Sequence, residues 1–104
     1  MVEIEELQRM VKRFRDERDW KRYHTPKDLS LSVSIEASEL VELFQWKEDS
    51  LSSVDNEELR EEMADVMIYL LALSNTAEID LGEAVKDKLK KNEEKYPPGE
   101  EHFE

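Results

Sequence analysis

Apolar residues near the start of the chain recur at helical spacing. They stand three and four residues apart, at Ile4, Leu7, Met10, Val11 and Phe14. A helix of 3.6 residues per turn places positions with this spacing on one side. The pattern therefore predicts an amphipathic helix with one apolar face, running to about Asp19.

Cap signals predict a second helix after the segment "HTP". Thr25 followed by Pro26 is typical of an N-cap with proline at the first helical position. Asp28 would lie near the positive end of the helix dipole, where an acidic side chain is favourable. We expect this helix to run to about Trp46.

Two more helices follow a polar connector, "EDSLSSVDN". The cap of the third helix is open among three residues, Ser53, Asp55 and Asn56. This helix should end near Ala77. Asp80, with Glu83 three residues later, resembles a capping box for a fourth helix that ends at "YPPG". We expect one domain over residues 1–104, with residues 97–104 as a frayed tail.

Acidic residues interrupt two apolar helices. The third helix is apolar almost all round, except for a narrow strip that contains Glu62, Asp65 and Tyr69. Such a helix is normally buried, so the strip should face the interior or a cleft. The second helix carries Glu36 and Glu39 between two apolar arcs. The members of each acidic pair are three residues apart and can converge on one point.

If these two helices pack together, four carboxylates meet in a largely dry groove. Buried charges of one sign must be neutralised by a partner or by protonation. Basic residues are nearly absent, since Lys47 lies at the end of one helix and Arg60 on the far side of the other. A hard divalent cation would remove the repulsion, and all-oxygen ligands favour Mg²⁺ or Mn²⁺ over Zn²⁺.

The acidic pairs have two alternative interpretations. E-x-x-E is frequent in glutamate-rich helices, where both carboxylates can lie at a solvated rim, and this alternative stays open for Glu36 and Glu39 taken alone. A di-iron carboxylate bundle would need histidine three residues after glutamate. Neither His24 nor His102 is placed in that way.

The composition favours helix and one small domain. The chain has 104 residues, 38% hydrophobic and 40% charged, with only 2 Gly and 3 Pro. Dense apolar runs distinguish it from a disordered chain, and abundant Glu, Lys, Leu and Arg indicate an all-α protein. A chain of this length buries a thin core, so we expect it to self-associate.

The charge pattern argues against nucleic acid as a partner. The formal net charge is −12, whereas nucleic-acid binding needs Lys and Arg to neutralise phosphates. Residues 28–83 hold 15 acidic and two basic residues, between basic flanks at 12–27 and 86–95. This distribution suits a cation site beside an anionic small molecule. Without a signal peptide or an apolar stretch of roughly 18 residues, the sequence indicates a cytoplasmic protein with no membrane partner.

The acidic pairs also resemble the signature of a known family. "EASE" (Glu36, Glu39) and "EMAD" (Glu62, Asp65) are similar to the E-x-x-E and E-x-x-D motifs of the all-α nucleoside triphosphate pyrophosphohydrolases related to MazG. "FRDERDWKRYHTPKDL" leading into "ELFQW" looks like the dCTP pyrophosphatase branch, and "KKNEEKYP" is similar to the closing N-x-x-K-Y-P. Together these segments cover most of the chain.

The resemblance implies a four-helix MazG-like bundle that assembles as a homodimer or dimer of dimers. It implies Mg²⁺-dependent hydrolysis of a nucleoside triphosphate to the monophosphate and pyrophosphate. Glu36, Glu39, Glu62 and Asp65 would hold Mg²⁺, with Mn²⁺ as a substitute. Glu39 is our choice of general base. Cytidine nucleotides, including modified ones, are the leading substrates, which implies a role in sanitising the nucleotide pool.

Further positions match substrate-binding residues of the dCTP-type enzymes. The positions near the base are Trp20, His24, Trp46 and Tyr69, and the aromatic ones suit stacking. For Trp20 and Trp46, core packing or anchoring of a helix end is the alternative. Asn92 and Lys95 match the closing motif and are candidates for contacts with the triphosphate.

The competing hypothesis is a non-enzymatic acidic helical module that binds another helix through an exposed apolar stripe. Magnesium separates the two hypotheses. A clustered carboxylate site gains thermal stability from the ion by mass action, whereas a binding module gains none.

Overall fold

Helices make up the regular structure of the part of the chain that the structure describes, residues 1–46 and 51–99. In this computed structural model the α-helices are α1 (Ile4–Glu17), α2 (Pro26–Glu42), α3 (Asn56–Thr76) and α4 (Leu81–Lys95). Short 3₁₀ turns, Trp20–Tyr23 and Leu51–Ser53, precede α2 and α3. The all-α prediction is confirmed. No helix in the described ranges is long and apolar enough to cross a membrane.

Local hydrogen bonds begin α2 where the sequence predicts. The N–H of Asp28 donates to Oγ1 of Thr25 at 3.1 Å, and the N–H of Thr25 donates to Oδ2 of Asp28 at 3.2 Å. These bonds form a capping box, and Pro26 occupies a position that needs no donor. The hydrogen bonds from Thr25 also lower the pKa of Asp28.

The end of α2 differs slightly from the prediction. The α-helix ends at Glu42 rather than near Trp46. The next residues continue as turns in which the N–H of Phe44 donates to the carbonyl of Val41 at 3.0 Å, three residues back. Such tighter turns commonly satisfy the last carbonyls of a helix. Trp46 closes the segment with a φ of 65°.

Aspartate caps begin α3 and α4. The N–H of Glu58 donates to Oδ2 of Asp55 at 3.1 Å, so Asp55 is the cap among the three predicted candidates. The N–H of Glu83 donates to Oδ1 of Asp80 at 3.0 Å, so Asp80 caps α4 through one of the two hydrogen bonds of the predicted capping box. After α4 ends, residues 97–99 are non-helical. The rest of the tail that we expect to fray, 100–104, lies outside the described residues.

A Schellman motif ends α3. The N–H of Ile79 donates to the carbonyl of Ser74 at 2.8 Å, and the N–H of Glu78 donates to the carbonyl of Asn75 at 3.2 Å. These bonds need a left-handed residue after the helix, where glycine is usual. Glu78 takes that position with a φ of 57°.

α3 is the centre of the fold. Its contact with α2 is the most extensive between two helices, and α1 packs on it as well. Gln8 of α1 is buried and stabilises the contact between α1 and α3. Its Nε2 donates to Oγ of Ser74 at 2.8 Å and to the carbonyl of Ile79 at 2.9 Å, while Nδ2 of Asn75 donates to the Gln8 carbonyl at 2.8 Å.

The buried apolar side chains are few among the described residues. They are Leu29, Val54, Leu71 and Ala72. Large apolar side chains on α2 and α3 stay exposed, among them Leu31, Ile35, Val41, Met63 and Leu70. Within one chain α1 and α2 cover only part of the surface of α3, so the burial predicted for this helix is reached on part of its surface.

Candidate metal centre and adjoining cavity

Carboxylates from α2 and α3 converge between the two helices. One oxygen from each of Glu36, Glu62 and Asp65 lies within 4.8 Å of the other two. Oε2 of Glu36 and Oε2 of Glu62 are buried and have no hydrogen-bond partner among the described residues. Glu39, the fourth predicted ligand, lies beside them and raises the pKa of both Glu36 and Glu62. The structure thus brings the four predicted carboxylates together, three of them most closely.

Partial burial and the charges of neighbouring carboxylates favour the protonated forms of Glu36 and Glu62. Burial is the largest cause that raises the pKa of Glu36 to about 7, followed by a hydrogen bond with Glu39 and then the charges of the neighbouring carboxylates. The pKa of Glu62 is also raised, first by burial and then by the charges of Glu39 and Asp65. The cluster therefore concentrates negative charge that an added cation would neutralise.

The donor set fits a hard divalent cation. Mg²⁺ binds oxygen at roughly 2.1 Å in an octahedron, so opposite ligands stand about 4.2 Å apart. The oxygens of Glu36, Glu62 and Asp65 lie within 4.8 Å of one another, so a small shift of these side chains would bring them to such a spacing. The unpartnered Oε2 atoms of Glu36 and Glu62 argue against carboxylates that simply lie in solvent. Arg60 does not neutralise the cluster, since it is exposed and pairs with Glu57 at 3.5 Å.

A cavity of about 590 Å³ opens beside the carboxylates, between α1 and α3. Asp65 belongs both to the carboxylate cluster and to the wall of this cavity. Most of the wall is apolar and includes Leu7, Met10, Val11, Met67, Ile68 and Leu71. A ligand in the cavity would thus have a mainly apolar surrounding with the acidic cluster at its edge.

Aromatic side chains join this cavity to a smaller one of about 260 Å³, lined by Trp20, Tyr23, His24 and Tyr69. The Trp20 ring packs edge-on against the Phe14 and His24 rings, with distances of 5.5 Å and 6.4 Å between the ring centroids. Nδ1 of His24 is buried without a hydrogen-bond partner in the described ranges. Trp20, His24 and Tyr69 therefore lie together next to Asp65.

Three predicted substrate contacts lie elsewhere in the single chain. Trp46 is 94% exposed at the end of the turns that follow α2. Asn92 and Lys95 lie in the last turn of α4, and Nζ of Lys95 stands 5.2 Å from the centre of the Tyr96 ring. Trp46, Asn92 and Lys95 are absent from the walls of the two cavities.

Arg15 is a cavity residue that the sequence pattern did not single out. This side chain is only 7% exposed and lines the larger cavity. In the sequence Arg15 is one of several basic residues between 12 and 27. The burial of Arg15 could have been predicted from its position, because Arg15 follows Val11 by four residues and Gln8 by seven, which places it on the buried side of α1.

The chain belongs to the MazG-like family, whose model matches residues 31–104. It is similar to dCTP pyrophosphatase 1 of mouse and human, with 39% and 40% identity over 100 residues. These matches cover 90% of this chain and 59% of each relative, so the chain spans about three fifths of their length. A crystal structure of a pyrophosphatase from Archaeoglobus fulgidus superimposes with a TM-score of 0.84 at 49% identity, covering 93% of this chain and 94% of that one.

Proposed function

We propose that this protein is a Mg²⁺-dependent nucleotide pyrophosphohydrolase that converts a nucleoside triphosphate and water into the monophosphate and pyrophosphate. The observation that carries the proposal is that Asp65 belongs both to the carboxylate cluster and to the wall of the aromatic-lined cavity. A base in the cavity would direct its phosphates towards the cluster. The likeness to dCTP pyrophosphatases and to an archaeal pyrophosphatase supports the same reaction.

Magnesium would be held by Glu36, Glu62 and Asp65, with Glu39 beside them and Mn²⁺ as a substitute. When bound, such an ion neutralises phosphate charge and lowers the pKa of a water molecule. Glu39 is the proposed general base. It lies next to the cluster but outside its three closest oxygens, which leaves its carboxylate available to accept a proton from the attacking water.

The aromatic cavity would bind the base. Trp20 and Tyr69 offer ring faces and edges for stacking, and the unpartnered Nδ1 of His24 offers a polar contact. Trp46, Asn92 and Lys95 stay candidates for substrate contacts that form when substrate binds or when chains assemble. For the substrate we propose dCTP or a modified cytidine nucleotide, so that the reaction removes surplus or damaged nucleotides from the pool.

We also propose that the chain forms a homodimer or a dimer of dimers through α2 and α3. Exposed apolar side chains on these helices, including Ile35 and Met63, support this assembly because water disfavours them. Light scattering of the purified protein measures the mass directly. The cytoplasm is the proposed location, and the net charge of −12 supports a protein without nucleic-acid or membrane partners.

The test of the enzymatic proposal is product analysis with a panel of deoxy- and ribonucleoside triphosphates that includes modified cytidines. Each substrate is incubated with Mg²⁺ or with EDTA, and pyrophosphate and phosphate are measured separately. We expect Mg²⁺-dependent pyrophosphate, with cytidine nucleotides as the best substrates. Phosphate instead of pyrophosphate would contradict the α–β cleavage. A folded protein that is inactive across the panel and gains no stability from Mg²⁺ would favour the acidic helix-binding module.

A further inference from the structure

Arg15 is a buried cation with two donor atoms that have no hydrogen-bond partner in the described part of the chain. Its side chain is 7% exposed, and both Nε and Nη2 are buried without a hydrogen bond to any described residue. The N–H of Nε and one N–H of Nη2 are parallel, on the same edge of the guanidinium plane. This arrangement binds two neighbouring acceptor atoms at once. A buried charge without a partner is unfavourable, so the two donors indicate a ligand.

The surroundings of Arg15 specify the chemistry of that ligand. Arg15 lines the larger cavity together with Trp20, His24 and Tyr69, and Asp65 lies at its acidic edge. Most of the remaining wall is apolar, so a strongly hydrated phosphate would lose more than it gains by entering. A planar ring with apolar faces and a polar edge suits the space. Its faces can pack on aromatic side chains while its edge reaches a buried donor pair.

We propose that Arg15 selects the nucleobase by binding an edge that presents two adjacent hydrogen-bond acceptors. This inference rests on the proposed function and adds a specificity-determining residue to it. Cytosine presents O2 beside N3, and guanine presents O6 beside N7. Thymine and uracil instead place an N–H between their two carbonyls, and adenine places an amino group beside each ring acceptor on those edges. Arg15 therefore favours cytosine or guanine.

The first test compares kcat/KM for dCTP, dGTP, dTTP and dATP in Arg15→Met, which keeps the apolar stem and removes the donors. We expect a loss of roughly 10- to 100-fold for the preferred base, mainly through KM. For dTTP and dATP we expect a change below about 3-fold. The preferred base in the unaltered protein distinguishes cytosine from guanine.

Two further variants sharpen this comparison. Arg15→Lys keeps the charge but not the parallel donor pair, so it should lose base preference as Arg15→Met does. Arg13→Met changes an exposed arginine of the same helix and should leave all four substrates unaffected. An equal loss for all four bases, or preserved base preference in Arg15→Met and Arg15→Lys, would overturn the inference. Circular dichroism measures whether each variant is folded. If Arg15→Met does not fold, Arg15→Lys alone tests the inference.

The second test separates this inference from the proposed reaction. Binding of dCMP, dGMP, dTMP and dAMP is measured in EDTA through tryptophan fluorescence, because Trp20 lines the cavity. We expect the preferred monophosphate to bind roughly 10- to 100-fold more weakly to Arg15→Met. A protein that releases no pyrophosphate but shows this pattern rejects the reaction and supports the role of Arg15. A protein that hydrolyses nucleotides with the same base preference after substitution rejects the role of Arg15 alone.

Discussion

Glu36 of α2 and Glu62 of α3 each bury one oxygen, Oε2, that no hydrogen bond from the described residues satisfies. The two side chains lie in one cluster with Asp65, so their charges repel as well. A fold that holds carboxylates in this way is destabilised by them in the metal-free state. Binding of a cation removes that repulsion and links metal affinity to stability.

Magnesium should therefore stabilise the protein against heat. At a Mg²⁺ concentration of 100 times the Kd, the free energy of unfolding should rise by about 2.7 kcal/mol. For a domain of this size the increase in Tm is roughly 10–20 °C. Thermal unfolding followed by circular dichroism, in MgCl₂ and in EDTA, measures the shift.

Two substitutions on α2 serve as a matched pair for this measurement. Glu36→Gln removes a cluster charge and should lose most of the Mg²⁺ effect, while its metal-free form becomes more stable than the parent. Glu42→Gln changes an exposed glutamate near the helix end and should keep the full effect. Equal Mg²⁺ shifts in the two variants would show that the ion acts elsewhere.

The stability of the metal-free protein should fall as the pH rises from about 4.5 to 7. The pKa of Glu36 is raised from 4.5 to about 7 in the folded protein, mainly by burial. Over this interval the folded state keeps a proton that the unfolded chain releases, so the favourable effect is complete below pH 4.5 and lost through pH 7.

Melting curves recorded in EDTA at constant ionic strength test this pH dependence. Glu36→Gln lacks the titrating group, so the difference in Tm between the variant and the parent should widen as the pH increases. A difference that stays constant from pH 4 to pH 8 would mean that Glu36 titrates as in an unfolded chain.

Asp65→Asn should reduce kcat by at least about 100-fold, because it weakens the acidic cluster at the point nearest the cavity. Initial rates of pyrophosphate release at saturating Mg²⁺ and nucleotide measure the effect. Glu61→Gln, at an exposed neighbour of the cluster residue Glu62, is the control and should stay active. Full activity of Asp65→Asn would remove this residue from the metal centre.

Trp46→Ala should alter substrate use without altering stability. Trp46 is 94% exposed, so its loss should change the free energy of unfolding by less than about 0.5 kcal/mol. If its ring stacks on the base in the assembled enzyme, KM should rise roughly 2- to 10-fold and discrimination between bases should weaken. Steady-state kinetics with several bases provide the measurement, and unchanged kinetics would exclude Trp46 from the pocket.

Glu78→Gly should stabilise the protein by about 0.5–1 kcal/mol, since glycine adopts the left-handed conformation at the end of α3 without a Cβ penalty. Urea unfolding at fixed Mg²⁺ measures the change. Glu78→Ala is the control, because it removes the charge but keeps the penalty. Equal stabilisation by alanine and glycine would attribute the gain to charge instead of backbone conformation.

Helix starts could be predicted from the sequence because their causes are local. Thr25 and Pro26, like Asp80, define a helix start within a few residues. Convergence of the carboxylates was also predictable, since residues three apart in a helix point the same way and two such pairs lie on neighbouring helices.

Other features of the site depend on contacts that sequence spacing does not define. Arg15 reaches a cavity only because α1 packs on α3 beside it. Trp46 is exposed because α2 ends at Glu42 and turns follow it. The position of Lys95, at the end of α4, depends on the direction in which α4 runs relative to the other helices. Tertiary packing, and assembly where it occurs, decides these placements.

The small buried core described above has a consequence for enzymology. Few of the described apolar side chains are buried within one chain, whereas Ile35 and Met63 are exposed and have no cover. If a second copy supplies that cover, folding and association form one equilibrium and the folded fraction depends on protein concentration. Specific activity should then decline on dilution even with saturating magnesium and substrate. Rates measured at low enzyme concentration would report dissociation together with hydrolysis.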